Sequence, residues 1–171
     1  MNVVLIGYRG AGKSSVGRAL AEKTGHSFID TDAMIQERAG RSIRHIFEQE
    51  GEPVFREHEA RAVRAACLQV NAVISVGGGA VLNPDNASAL RDAGRVIWLR
   101  APAKVLWQRL RGDEATHAQR PRLTPSGGFQ EVVLKLAERE GVYESLADHV
   151  IDTDRAAVDE IVTTILRLLG H

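Results

Sequence analysis

The sequence predicts an α/β fold: a parallel sheet covered by helices on both faces. Three observations predict it. Short apolar, β-rich runs alternate with longer stretches of helical periodicity along the chain. Such alternation sets parallel strands side by side with helices crossing over them. A glycine-rich loop follows the first strand, at the strand end where open α/β sheets take ligands. The length of 171 residues suits one domain with a sizeable core.

The elements can be justified in order. Val3-Val4-Leu5-Ile6 is a short apolar run and reads as a buried strand. Gly7-Tyr8-Arg9-Gly10-Ala11-Gly12-Lys13-Ser14 follows and fits G-x-x-x-x-G-K-[ST] with no mismatch. A helix is expected over 14–24. Ser27–Ile29 reads as the second strand, with helical stretches at about 32–39, 42–50 and 53–70. Ala72–Val76 is the third strand and runs into Gly77-Gly78-Gly79. Pro84 and Pro102 suit the first turns of helices over 84–93 and 102–111, with a fourth strand at Arg95–Leu99 between them. Gly112 to Gly128 is polar, carries Pro121 and Pro125, and lacks periodicity. A loop that long in a compact domain is usually functional, and it reads as a lid, with a disordered insertion as the alternative. A helix over 128–140, a strand at His149–Ile151 and a helix over 155–169 complete the chain. In the last, Val158, Ile161, Val162, Ile165, Leu166 and Leu169 recur at helical spacing.

Composition excludes several classes of function. A formal net charge of +0 gives no general electrostatic case for binding nucleic acid or an anionic membrane. No stretch approaches the apolar length of a membrane span, and the N-terminal run leads straight into the glycine loop, unlike a secretory signal. Cys67 is the single cysteine, so no internal disulfide is possible, and its apolar neighbours suggest a packed helix thiol. The six histidines show no zinc-ligand spacing. A cytoplasmic enzyme is expected, without nucleic-acid or membrane partners.

Three groups of residues point to chemistry. A glycine-rich loop between strand and helix turns backbone N–H groups toward an anion, and the helix N-terminus adds positive partial charge. In such a loop Gly10, Ala11, Gly12, Lys13, Ser14 and Ser15 bind a nucleoside triphosphate. Lys13 reaches the β- and γ-phosphates and the Ser14 hydroxyl ligates Mg²⁺. Asp30 and Asp32 end the second strand and could share one face, as a metal partner and a base near the attacking hydroxyl. Asp32 could equally cap the next helix. The glycine triplet bares the backbone where related enzymes often carry a metal-binding aspartate, leaving Ser14 and Asp30 as candidates for Mg²⁺. Arg56 and Arg139 offer planar forks for a carboxylate, although an isolated arginine is more often a solvated surface residue.

Gly7–Ser14, Asp30-x-Asp32, Gly40, Ile46-Phe47, Gly51-Glu52, Phe55-Arg56-x-x-Glu59, Gly77-Gly78-Gly79, Arg120-Pro121 and Arg139-x-x-x-Tyr143 stand in an order and spacing that resemble the shikimate kinase family. The resemblance runs from the first strand to about Asp148. It implies a three-layer α/β/α phosphate-loop kinase fold with a five-stranded parallel sheet in the order 2-3-1-4-5. It further implies a single domain over 1–171, with substrate-binding helices at about 32–60 and the lid at about 112–128, acting as a monomer. The implied reaction moves the γ-phosphoryl group of ATP to the 3-hydroxyl of shikimate, on the route to chorismate and aromatic amino acids. By this resemblance Asp32 meets the reacting hydroxyl, and Asp30 helps hold Mg²⁺ through water. Arg56 and Arg139 clamp the shikimate carboxylate, with Glu59 orienting Arg56 from one helical turn away. Gly77, Gly78 and Gly79 belong to the substrate site, Arg120 swings in with the lid, and Arg111 contacts the nucleotide.

Two features depart from the commonest family pattern: Arg122 stands where leucine is usual after the lid proline, and the segment Gly112–Gln119 is slightly long. A gluconate or nucleoside-monophosphate kinase would share the phosphate loop but has no reason to carry Asp32, Arg56, the glycine triplet and Arg139 together. A non-catalytic relative would be expected to have lost Lys13, Asp32 or Arg120.

Overall fold

A computed structural model describes residues 1–112 and 127–170. The segment read as a lid, with Arg120, Pro121 and Arg122, lies outside the described residues except for Gly112, Gly127 and Gly128. The strands are β1 (Asn2–Ile6), β2 (Ser27–Asp30), β3 (Ala72–Ser75), β4 (Gly94–Arg100) and β5 (His149–Asp152). The helices among the described residues are α1 (Lys13–Thr24), α2 (Thr31–Ala39), α3 (Ile43–Glu50), α4 (Glu52–Cys67), α5 (Pro84–Ala93), α6 (Ala103–Gly112), α7 (Gly128–Leu146) and α8 (Val158–Leu168), with a short 3₁₀ turn at Ala80–Leu82.

The sheet is five-stranded and parallel, in the order β2-β3-β1-β4-β5, as the resemblance implies. β1 and β3 are buried along their whole length, which is why they read as unbroken apolar runs and not as alternating ones. Val3 pairs with Val73 on one side and Arg95 on the other. The order changes direction beside β1, so the crevice beyond β1 and β3 is the topological switch point. Both glycine loops open there.

The main core joins β1, β3 and β4 to α1, α6, α7 and α8. Ile161, Val162 and Ile165 form the buried stripe of α8. A second, smaller cluster of Ile35, Ile43, Ile46, Phe55 and Ala62 holds α2, α3 and α4 together. These three helices therefore pack as a unit with its own apolar seam, beside the crevice. Cys67 ends α4 partly buried, and burial pushes its thiol pKa up. That is the opposite of activation.

Helix boundaries differ from expectation by three residues or more in three places, one being α8, which starts at Val158 and not at residue 155. α4 stops at Cys67, not residue 70, and Leu68 and Val70 are 82% and 80% exposed. Asn71, at φ 53°, turns the chain into β3. α7 continues to Leu146 because Tyr143 and Leu146 extend the buried stripe begun by Val132, Leu136 and Arg139.

Candidate active site

The phosphate loop closes on itself as its glycines allow. Gly10 and Gly12 have φ of 83° and 98°, conformations that a side chain would resist. Gly12 is the N-cap of α1 and carries no side chain to satisfy the first helical N–H groups. The residues that carry those donors line the cavity, and a helix N-terminus is a ready site for an anion. Lys13 Nζ donates to the carbonyls of Gly7 at 2.7 Å and Tyr8 at 2.9 Å. The ammonium thus lies folded across the loop. Gly10, Gly12, Lys13, Ser14 and Ser15 line a cavity of about 420 Å³. Ala11 is buried beneath the loop, and its carbonyl accepts from Thr153 Oγ1 at 3.2 Å.

Ser14 Oγ donates to Asp30 Oδ2 at 3.1 Å. A hydroxyl and a carboxylate side by side are hard oxygen donors of the kind Mg²⁺ takes. No cluster of three or more His, Cys, Asp or Glu side chains able to hold a metal exists among the described residues. The pair fits an ion that obtains its other oxygens from phosphates and water.

The two aspartates reach the crevice differently from the strand reading. β2 ends at Asp30, whose Oδ1 accepts from the backbone N–H groups of Asp32 at 2.9 Å and Ala33 at 3.3 Å. Asp30, not Asp32, is the cap of α2. Asp32 enters from the first helical turn. Its Oδ1 lies close above Gly77, 3.0 Å from where a Cβ on that residue would stand.

Gly77, Gly78 and Gly79 form the floor of a second, narrower cavity with Arg56, Glu59 and Arg139. None of the three has a positive φ; close approach is what requires glycine here. A Cβ on Gly77 would meet Asp32 and Glu59 oxygens at 3.0 Å, one on Gly78 would meet Arg139 Nη1 at 3.2 Å, and one on Gly79 would meet both Arg56 Nη atoms at 2.9 Å. Each glycine lies under a different charged group.

Glu59 is only 2% exposed, and its Oε1 accepts from Arg56 Nη1 at 2.7 Å. Arg56 Nη2 reaches Glu52 at 3.2 Å. Burial pushes the Glu59 carboxyl above its ordinary range even though Arg56 pulls it down. Burial works against the Arg56 charge too, but the Glu59 and Glu52 carboxylates outweigh it and raise that pKa. Arg139 is 4% exposed and lies with its guanidinium carbon 5.3 Å from the Tyr8 ring centroid. Its Nε is buried without a hydrogen-bond partner. Tyr143 lies one turn beyond, donating to the Gly78 carbonyl at 2.6 Å. Burial pushes the Tyr143 hydroxyl pKa up, against the pull of Arg139, so the phenol stays a donor.

Two residues that motif reading passes over also belong here. Arg109 lines the larger cavity and donates to Gly10 O at 3.1 Å, Thr153 Oγ1 at 3.1 Å and Thr153 O at 2.6 Å. It ties the phosphate loop to the loop after β5. Arg111 is exposed and does not line the cavity. Periodicity held the signal: Leu106 and Leu110 are buried on α6, and residue 109 shares their face while 111 does not. The other is Arg9, which lines both cavities. Its position in the motif is unspecified, so only the fold could place it.

The profile of the family described as Shikimate kinase matches residues 9–170. The chain is 47% identical over 168 residues to a shikimate kinase of Oleidesulfovibrio alaskensis, covering 98% of this chain and 96% of that one. It is 42% identical over 169 residues to a shikimate kinase of Symbiobacterium thermophilum, covering 99% and 96%. The structure is similar to that of shikimate kinase from Acinetobacter baumannii in complex with shikimate, with a TM-score of 0.92 and 33% identity over 99% of this chain and 92% of the other.

Proposed function

The chain belongs to the shikimate kinase family, and from that premise we propose how its own residues perform the reaction. It is a kinase that phosphorylates shikimate with ATP, a step in aromatic amino acid biosynthesis. One observation carries the residue assignments. The phosphate-loop cavity and the arginine–glycine cavity meet at Arg9, Asp32 and Ile43, which line both.

ATP occupies the larger cavity, its phosphates against the N–H groups of residues 10–15 and the Lys13 ammonium. Shikimate occupies the smaller one. Its carboxylate takes the forks of Arg56 and Arg139, and its ring hydroxyls lie over Gly77, Gly78 and Gly79. Glu59 holds the Arg56 fork in place. Asp32, at the junction, accepts the proton of the 3-hydroxyl. That oxygen bonds to the γ-phosphorus as the bond to the bridging oxygen of ADP breaks. Ser14 and Asp30 are the residues that would hold Mg²⁺, whose chemistry there is to neutralise phosphate charge. Because positioning and electrostatics supply nearly all the catalysis of phosphoryl transfer, this division of labour needs no covalent intermediate.

No helix among the described residues is long and apolar enough to cross a membrane. We place the enzyme in the cytoplasm, acting as a single-domain monomer. Identification of the product tests the assignment. After incubation with ATP, Mg²⁺ and shikimate, phosphorus–proton correlation should join the new phosphate to the proton on C3. A phosphate on another ring carbon would refute the placement of Asp32.

A further inference from the structure

Resting on that reading, we propose that Arg9 is a catalytic residue of the phosphoryl transfer and that Glu131 positions it. A phosphoryl group leaving one cavity for the other must pass the residues that line both. Of these, Ile43 has an apolar side chain and Asp32 is an anion facing the acceptor hydroxyl. Among the described residues, Arg9 is the cation that lines both cavities.

Its setting is built to hold a charge and leave donors for an anion. Arg9 Nη2 lies 3.5 Å from Oε1 of Glu131, in the first turn of α7 and only 3% exposed. The guanidinium carbon is 6.0 Å from the centroid of the buried Tyr8 ring. Arg9 Nε is buried and has no hydrogen-bond partner. A buried donor left unmade is costly, and an anion arriving at the junction satisfies it. Phosphoryl transfer spreads negative charge over the three equatorial oxygens of the group in flight. A guanidinium fork suits those oxygens.

Arg9 differs from Arg56 and Arg139 in one telling way. Those two line the acceptor cavity and not the nucleotide cavity, whereas Arg9 lines both. Its contact is therefore with the transferred group and not with the acceptor's carboxylate. Glu131 belongs to the helix that follows the segment 113–126, so this ion pair also links α7 to the phosphate loop.

The test uses Arg9→Met, which keeps an unbranched stem, with Arg9→Lys and Glu131→Gln. Circular dichroism and melting checks establish that each is folded. Titrations with ADP alone, shikimate alone, and ADP plus aluminium fluoride plus shikimate separate ground-state from transition-state binding. Arg9→Met should lose about a hundredfold in kcat, the scale of removing one preorganised donor. The aluminium fluoride complex should weaken in step, while ADP and shikimate affinities hold. Arg9→Lys should recover little, since it keeps the charge and loses the fork. Glu131→Gln should cost less, and its effect should largely vanish in the Arg9→Met background. A fall in kcat below roughly tenfold, or a loss carried by KM for shikimate, overturns the proposal. In the second case Arg9 is a ground-state ligand. Absence of shikimate-dependent turnover in the unaltered protein would instead refute the reading on which this one rests.

Discussion

Alanine at Gly79 tests the acceptor site without altering any charged side chain. Gly79 has φ −96° and ψ −4°, in the bridge region, which is sparsely populated but open to alanine. The added Cβ would stand 2.9 Å from Nη1 and Nη2 of Arg56 and 3.2 Å from its Cζ. Comfortable non-bonded contact begins at about 3.5 Å, so the fork must retreat by roughly half an ångström or more. Arg56 is the flexible, partly exposed end of that contact, and the fold should absorb the change within about 1 kcal/mol. The substrate carboxylate would not. Hydrogen bonds between charged groups contribute about 1.5–3 kcal/mol each. Losing one raises KM for shikimate by roughly 10- to 150-fold. Coupled ADP-release kinetics at saturating ATP measure the change, and titration with ATP in the absence of shikimate supplies the control. Nucleotide affinity should hold, because Gly79 does not line the larger cavity. A folded variant with KM for shikimate near that of the parent would refute the arginine clamp.

Lys13→Ala should lower kcat by about 10²–10³, since it removes a preorganised charge from the phosphates; near-normal turnover would contradict the phosphate-loop assignment. Asp32→Asn keeps the shape but removes basicity, so kcat should fall steeply with ATP binding little changed. Loss of nucleotide affinity alone would mark Asp32 as part of the metal site. Glu59 has a native pKa raised by burial. Its proton is therefore bound more tightly in the folded state, giving stability that is complete below the unfolded value of about 4.3 and lost as pH rises through the folded value. Glu59→Gln should remove that component from urea unfolding measured across pH. It should also remove the acid limb of kcat/KM for shikimate that appears as Glu59 protonates and releases Arg56. An unchanged pair of profiles would show that Glu59 does not govern the fork.

The phosphate loop and the strands were legible because their signals are local: a fixed glycine spacing, and apolar runs the length of a buried strand. Strand order was not local, and came from the resemblance. The glycine triplet was legible as exposed backbone, but its reason was not. Only the fold shows that Asp32 with Glu59, Arg139 and Arg56 come from three separate helices to stand over Gly77, Gly78 and Gly79 in turn. The two aspartates illustrate a boundary effect. Strand alternation puts Asp30 and Asp32 on one face, yet the chain turns helical at Thr31, and Asp30 becomes a cap that also meets Ser14. Arg111 and Arg109 differ by two residues, and on α6 that moves the side chain from solvent to the phosphate loop. Arg9 was hidden for another reason. Its partner Glu131 lies 122 positions away in sequence, beyond any local pattern.

Acceptor choice is the most direct measure of what the paired cavities do. Steady-state ADP release with Mg²⁺ and ATP should be compared for shikimate, quinate, gluconate and nucleoside monophosphates, each over a full concentration range. Shikimate should give the highest kcat/KM by a wide margin. Replacing Arg56 and Arg139 together by lysine should erase that preference, with less than additive cost because both forks share one carboxylate. Turnover of gluconate or a nucleoside monophosphate equal to that of shikimate, or a double variant that keeps its preference, would contradict the assignment of the arginine–glycine cavity to shikimate.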